Sequence, residues 1–530
     1  MDFLRTPGRA RLAFLAGIAL VFAGVALHLP MYLMASHMGF MLAGMPMDPL
    51  MIVGMVLGAA GLLLCTAALL APPRKDTGAD AQQTVARGVT HTVTDRMQAR
   101  HWLLVLVLIF AVAIDTQKPF TFSLILPSVA GEYGVSSPGH PVPGAPPVAL
   151  LPFMGILGTV IGSLLWGILG DRFGRRAAIL LAAVLFVYTS VCGAMPDFWG
   201  NVAMCFVMGI SAGGMLPAAF ALLAEIMPTP SRGWLLVLVS GAGTGLGFVI
   251  ASQAAQLLMP VYSWRILWLM GVGTGAVLLL AGRFIPESPR HLLAHGHRAE
   301  ALKVLQHYRA PLPVAQPVRT AGLQDVFARP FTGLTSGLVA CAAAWGGISF
   351  GVLVWLPTNL TRSGGTSVAE INGILAQGAL FALPVSAVVA WMYSRWSARR
   401  SLLLSTSLTA VVLLAYVIAG DHMAGNRPLL VTLVSLLLVS SWAATAVITP
   451  YSAEIYPTGI RARGASVVAG AGKLGGVLAL GMSVTGIVPP GIGVSALISL
   501  IPMILGVGML AVYAVETKAQ ALEAVVVTER

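Results

Sequence analysis

The sequence predicts an all-α polytopic membrane protein of fourteen transmembrane helices, an N-terminal two-helix hairpin followed by two pseudo-symmetric bundles of six. Three observations lead there. The chain is 57% hydrophobic and only 9% charged, with a mean hydropathy of +0.87, whereas soluble domains are about a quarter charged. Fourteen separate apolar runs reach the roughly 20 residues that one crossing of the hydrocarbon core requires. Finally, "AEIMPTPSR" at 224–232 returns as "AEIYPTGIR" at 453–461, 229 positions on, and in the same frame Gly241, Ala242, Gly243 and Gly247 fall on Gly470, Ala471, Gly472 and Gly476. A period that long means that half of a large domain is duplicated, as is common in membrane transporters.

Taken in order, the runs are 11–31 and 48–71, the hairpin; 102–128, 149–169, 177–195, 200–224, 234–259 and 263–284, the first bundle; and 334–357, 368–391, 401–419, 428–452, 464–487 and 492–514, the second. The expected domains are therefore the hairpin (1–71), a polar linker (72–101), the first bundle (102–284), a basic inter-bundle segment (285–333), the second bundle (334–515) and a tail (516–530). Within the inter-bundle segment, "PRHLLAHGHRAEALKVLQHYRA" reads as a short amphipathic surface helix, and Pro311, Pro313 and Pro317 mark the joint. The first run follows Arg5, Arg9 and Arg11 and could be a signal peptide. No small-x-small cleavage site closes it near "ALHLP", and removing it leaves an odd helix count, so it is read as retained.

A net charge of +12 raises the question of a polyanionic partner, and its placement answers it. Basic residues gather in alternate loops: Arg74, Lys75, Arg87, Arg96 and Arg100, then Arg172, Arg175 and Arg176, then Arg290, Arg298, Lys303, Arg309, Arg319 and Arg329. Segments 32–47 and 129–148 between them contain no Lys or Arg. This is the positive-inside pattern. It places both termini in the cytoplasm of a cell whose inner (plasma) membrane holds the chain, with the lipid bilayer as partner and no nucleic acid. The four cysteines, Cys65, Cys192, Cys205 and Cys341, sit in or beside apolar runs and form no disulfide framework. No nucleotide loop, HExxH or nucleophile elbow occurs, and "GAGTGLG" lies inside an apolar run where glycines serve helix packing. Neither an enzyme nor a cofactor is expected.

Three motifs follow one another through the first bundle and its exit: Gly170-Asp171-Arg172-x-Gly174-Arg175-Arg176, then Glu225 and Arg232 in "AEIMPTPSR", then Glu287 and Arg290 in "PESPR". In this order the chain from 102 to 515 resembles the major facilitator superfamily, in its sugar-porter and aromatic-acid:proton symporter branches. The resemblance implies a major facilitator fold and a cytoplasmic charge network, made by those residues, that latches two bundles in the outward-open state. Glu454, Arg461 and Arg463 match as the second copy, and Arg395, Arg399 and Arg400 in "SRWSARR" match a degraded loop lacking the acid and the glycine, which implies a weaker second latch.

Ionisable residues at membrane depth are functional candidates by default. Asp115 and Lys118 stand three apart, on one helical face, and Asp115 lies about 20 Å along its helix from His101. They read either as a self-neutralising structural pair or as a proton-carrying acid beside a substrate-sensing Lys. Pro119 follows and removes a backbone donor there. The resemblance makes Asp115 and Thr116 the retained part of an Asp-rich motif whose other acid is lost at Val112. It also implies an Arg where Cys205 stands, which leaves Asp115 as the expected proton site. Lys473, in "GAGKLGG", is a candidate carboxylate ligand unless it snorkels to the interface.

Between its helices the hairpin offers Met34, His37, Met38, Met41, Met45 and Met47 among other methionines, soft ligands suited to Cu(I) or pliable apolar filler. The leading expectation is a secondary transporter, coupled to protons, of a small organic anion such as a carboxylate or aromatic acid, acting by alternating access. A sugar, polyol or drug carrier of the same fold is the alternative, although polar amides are few (Gln253, Asn372, Gln377). A copper-responsive receptor or handling protein built on the hairpin is the alternative from another class.

Overall fold

The computed structural model describes residues 8–70, 95–138, 140–311, 324–362, 367–456, 460–486 and 491–517. Most of the expected linker (72–94), the 312–323 stretch of the inter-bundle segment and the tail beyond 517 lie outside these residues. Among the described residues the fold is all helical, apart from two isolated bridges, Ser136 with Pro147 and Ser137 with His140. Fourteen helical stretches are long and apolar enough to cross a membrane, one on each expected run.

The hairpin is α1 (Gly8–Ala26), α2 (Leu29–Met34) and α3 (Pro49–Leu70). Next come α4 (Ala99–Tyr133), α5 (Leu150–Phe173), α6 (Arg175–Tyr188, closed by a 3-10 turn, Thr189–Ala194), α7 (Phe198–Ala212), α8 (Met215–Ile226), α9 (Arg232–Tyr262), α10 (Ile266–Leu269) and α11 (Gly271–Ala281). The amphipathic surface helix is realised as two pieces, α12 (Pro289–Ala294) and α13 (Arg298–Tyr308). The chain continues through α14 (Thr332–Gly347), α15 (Leu356–Arg362), α16 (Val368–Arg395), α17 (Ala398–Ala419), α18 (Arg427–Glu454), α19 (Arg461–Val484) and α20 (Ile492–Tyr513). Pro119 and Pro127 lie inside α4 without ending it; Pro119 has no N–H for the Asp115 carbonyl one turn back.

Several runs expected as single helices are interrupted, and two of the breaks lie deep within their runs. The 200–224 run divides into α7 and α8 at Gly213-Gly214, where any side chain is excluded: a Cβ on Gly213 would lie 2.5 Å from the Ser163 nitrogen, and one on Gly214 2.1 Å from the Trp166 ring. The 334–357 run passes from α14 through a π-helical turn, Ile348–Leu353, before α15, the kind of local bulge that recurs at functional sites.

The described residues form two compact units, neither a continuous stretch of chain. The first comprises Met1–Lys118, Gly158–Arg232 and Arg265–Gln316; the second Pro119–Leu157, Gly233–Trp264 and Pro317–Arg530. In the first, glycines let α1 and α3 touch backbone to backbone: a Cβ on Gly24 would stand 2.5 Å from the Gly54 oxygen. The hairpin rests on α6, with the Tyr188 ring over Gly58 and its hydroxyl on the Met55 carbonyl (3.3 Å). In the second, α14 meets α19 the same way, a Cβ on Gly346 falling 2.0 Å from the Gly472 oxygen. Small residues at such seams allow dispersion contacts that lipid cannot outcompete.

Candidate functional site

The loop between α5 and α6 is built around one carboxylate. Glu287 Oε1 accepts the N–H groups of Arg175 (2.7 Å), Arg176 (3.3 Å) and Ser288 (2.8 Å). Arg175 and Arg176 begin α6, so the anion sits on donors that a helix start leaves unpaired, where the helix dipole favours negative charge. Gly174 makes this possible, with φ of 104° and a Cβ position only 2.4 Å from Glu287 Oε2. Burial raises the Glu287 carboxyl above its usual range, against the pull of the three amides and of Arg176. Ser288 caps α12 by accepting from the His291 N–H (3.1 Å) and donates its hydroxyl to Glu225. Asp171, itself exposed, pairs with the half-buried Arg175 at 2.6 Å, a surface pair worth about 0–1 kcal/mol. The Arg176 guanidinium donates to the Gly282 carbonyl (3.2 Å), Arg172 lies over the Phe173 ring, and a Cβ on Gly170 would meet the Arg175 guanidinium at 2.9 Å. Arg232 is half-buried and Arg290 exposed. The structure therefore joins the three motifs through backbone amides and a serine as much as through opposite charges.

The second unit repeats this arrangement with a residue that the sequence reading missed. Glu516 accepts the Ala398 N–H at the start of α17 (3.0 Å) and the Ser397 hydroxyl, while Ser397 caps α17 by accepting from the Arg400 N–H (3.0 Å). Glu454 accepts from Thr517 Oγ1 (3.3 Å) and Tyr393 Oη (2.5 Å). Glu287 and Glu516, Ser288 and Thr517, and Glu225 and Glu454 are all 229 positions apart, the spacing of the opening repeat. The acid absent from "SRWSARR" is thus supplied by the segment after α20. Of the expected basic partners, Arg399 donates to the Ala511 carbonyl (2.8 Å) and Arg400 lies over Trp396. Arg395 is exposed, Arg463 is half-buried, and the Arg461 side chain lies outside the described set.

At membrane depth, Asp115 is 4% exposed and Lys118 fully buried, both in the first unit. The Lys118 ammonium donates to the Phe186 carbonyl, Thr189 Oγ1 (2.9 Å) and Ser190 Oγ (3.3 Å) and lies 4.0 Å from the Phe186 ring centre. An ammonium has three donors, and here each has an acceptor on the end of α6. These contacts tie Lys118 to the Phe186–Ser190 turn. Gly271 completes the pocket, because a Cβ there would come within 2.8 Å of Lys118 Cε. Cys205 is buried, its thiol directed to Asn201 Oδ1 at 3.5 Å. Lys473 lies in the second unit, half-buried on α19. In that unit Phe120, Phe248 and Trp442 form an aromatic cluster, with ring centres 4.9 Å (Phe120–Phe248) and 5.3 Å (Phe248–Trp442) apart; their wide sequence separation hid it. Asn372 is buried with its amide on the Met259 sulfur, while Gln377 is exposed.

The hairpin methionines fall into two sets. Met34, Met38 and Met41 are exposed, as is His37. Met45 and Met47 pack instead on a buried cluster of Met31, Ala35, Leu42, Met51 and Ala194. The six expected ligands therefore do not form one enclosed set.

The model of the Major Facilitator Superfamily matches residues 102–480. The chain belongs to the major facilitator superfamily. Membership makes it a multi-pass membrane transporter and not an enzyme. Its relatives include the niacin transporter NiaP of Acinetobacter baylyi, 28% identical over 62% of this chain and 75% of that one. Another is the 4-hydroxybenzoate transporter PcaK of Pseudomonas aeruginosa, 28% identical over 71% of this chain and 84% of that one. In fold it resembles a solved structure of the proton:xylose symporter XylE bound to 6-bromo-6-deoxy-D-glucose (TM-score 0.63, 16% identity, 81% of this chain and 98% of that one). The hairpin lies outside the stretch that the superfamily model matches.

Proposed function

We propose that the protein is a proton-coupled secondary transporter of a small organic acid, a monocarboxylate on an aromatic ring being the first candidate. The observation that carries this reading is that relatives spanning most of their length with this chain are named for niacin and 4-hydroxybenzoate, each a carboxyl group on an aromatic ring. The aromatic cluster of Phe120, Phe248 and Trp442 offers faces for such a ring, and Lys473 a cation for its carboxylate. Asp115 is the acid that would carry the proton. Alternating access would rock bundle 102–284 against bundle 334–515 in an inner membrane with both termini cytoplasmic, the twin carboxylate clusters bracing the cytoplasmic ends. The test is uptake into proteoliposomes with an alkaline interior, using labelled nicotinate and 4-hydroxybenzoate with xylose as control. Accumulation of an acid that a protonophore abolishes, and that Asp115→Asn reduces while counterflow persists, is expected. Failure to accumulate any acid on an imposed pH gradient, with xylose transported, would overturn the reading.

A further inference from the structure

Hairpin residue His28 is fully buried. Its Nδ1 is 2.8 Å from the Gly24 carbonyl, so Nδ1 carries the proton and Nε2 the lone pair. Nε2 is buried and has no hydrogen-bond partner among the described residues, although burying a polar atom without one is costly. A backbone carbonyl holding one imidazole nitrogen so that the other presents its lone pair is the arrangement that outer-sphere groups impose on metal-binding histidines.

The surroundings select the kind of ion. The ring lies against α3 at Gly54, where a Cβ would fall 2.8 Å from His28 Cε1; only a glycine leaves room for it. One helical turn from His28 is Met31, and one turn from Gly54 is Met51. Both are buried and belong to one cluster, with Met45 and Met47 packed over it. The acid nearest in sequence, Asp48, is committed to the start of α3, accepting the Leu50 N–H at 2.7 Å. Neutral imidazole and thioethers without a carboxylate suit a soft ion of low charge and disfavour Mg²⁺ or Ca²⁺.

We propose that the hairpin holds a soft monovalent metal ion, Cu(I) in its chemistry, on His28 Nε2 and the thioether sulfurs of Met31 and Met51. The site is internal, its three residues buried where Met34, Met38 and Met41 are exposed, and is separate from the transport reading above. Loading the purified full chain with Cu(I) under reducing conditions, in competition with a Cu(I) chelator, tests it. Because the four cysteines also take Cu(I), the reading is the difference between variants. Wild type should retain one equivalent more than His28→Asn, and Met31→Leu with Met51→Leu, a volume-conserving pair, should weaken retention at least tenfold. X-ray absorption should show one imidazole nitrogen and two sulfurs on the ion that these variants lose. A triple change of Met34, Met38 and Met41 to Leu should leave retention unchanged. Equal retention by wild type and the double Met variant, or loss confined to the exposed triple, overturns the proposal; the double variant decides the matter if His28→Asn fails to fold.

Discussion

Gly174→Ala is the substitution whose cost can be worked most directly. With φ at 104° and ψ at 154°, residue 174 occupies backbone space that is essentially glycine's own, and a side chain there costs about 1–3 kcal/mol. The new Cβ would also stand 2.4 Å from Glu287 Oε2, so the carboxylate must retreat from Arg175, Arg176 and Ser288. Losing one of those charge-assisted bonds costs about 1.5–3 kcal/mol. Together the two effects come to roughly 3–6 kcal/mol, or two to four decades in the equilibrium between the closed and opened cluster. Heat inactivation of the purified chain should accelerate accordingly. Gly131→Ala is the control, because a Cβ there meets nothing within 4 Å and α4 should gain slightly from alanine. The clash disappears if the carboxylate is absent, so Gly174→Ala combined with Glu287→Ala should cost less than the sum of the two alone. Full additivity, or a Gly174→Ala protein as durable as wild type, would refute the reasoning.

Three further outcomes follow from the same geometry. Because burial raises the Glu287 carboxyl, the folded chain takes up a proton before the unfolded one. Wild type should therefore gain stability relative to Glu287→Gln as pH falls toward 4.5 and lose it as pH rises through the raised value; unfolding midpoints at several pH values check the sign, and a gap moving the other way contradicts it. Lys118→Met should lower the unfolding midpoint, consistent with about 1–3 kcal/mol for acceptors left bare, and leave the KM for counterflow within about twofold; a KM raised tenfold would return Lys118 to the substrate path. Tyr393→Phe removes the hydroxyl bound to Glu454 and should cost about 1.5–3 kcal/mol, measurable as a lower midpoint; no change would show that the 2.5 Å contact carries little energy.

The fourteen spans and the motif loops were legible because lipid imposes helix length and composition so strictly. Glu225, Glu287 and the loop around Gly174 were legible as a group, since one signature carries them. Their partners were not, because backbone amides and a serine hydroxyl leave no charge pattern to read. Glu516 did leave a trace: the repeat spacing points to it from Glu287, but the short match around it ends within "VETKA". The direction of Lys118 depended on acceptors at Phe186, Thr189 and Ser190, some seventy residues on. The break at Gly213-Gly214 lay inside a run read as one helix, because the Trp166 ring that fills the space beside Gly214 is some fifty residues away in sequence.

The clasp at Glu516 also sets an order of events at the ribosome. Glu287 is made 112 residues after the Arg175 amide it holds, and Glu516 is made 118 residues after that of Ala398. At about 5–20 residues per second, each helix start waits on the order of ten seconds for its acid, with α17 meanwhile relying on its own Ser397. For α17 that wait ends only when the last of the fourteen described crossings has been made, so a nascent chain arrested between Tyr513 and Glu516 would carry all fourteen and still lack its second clasp.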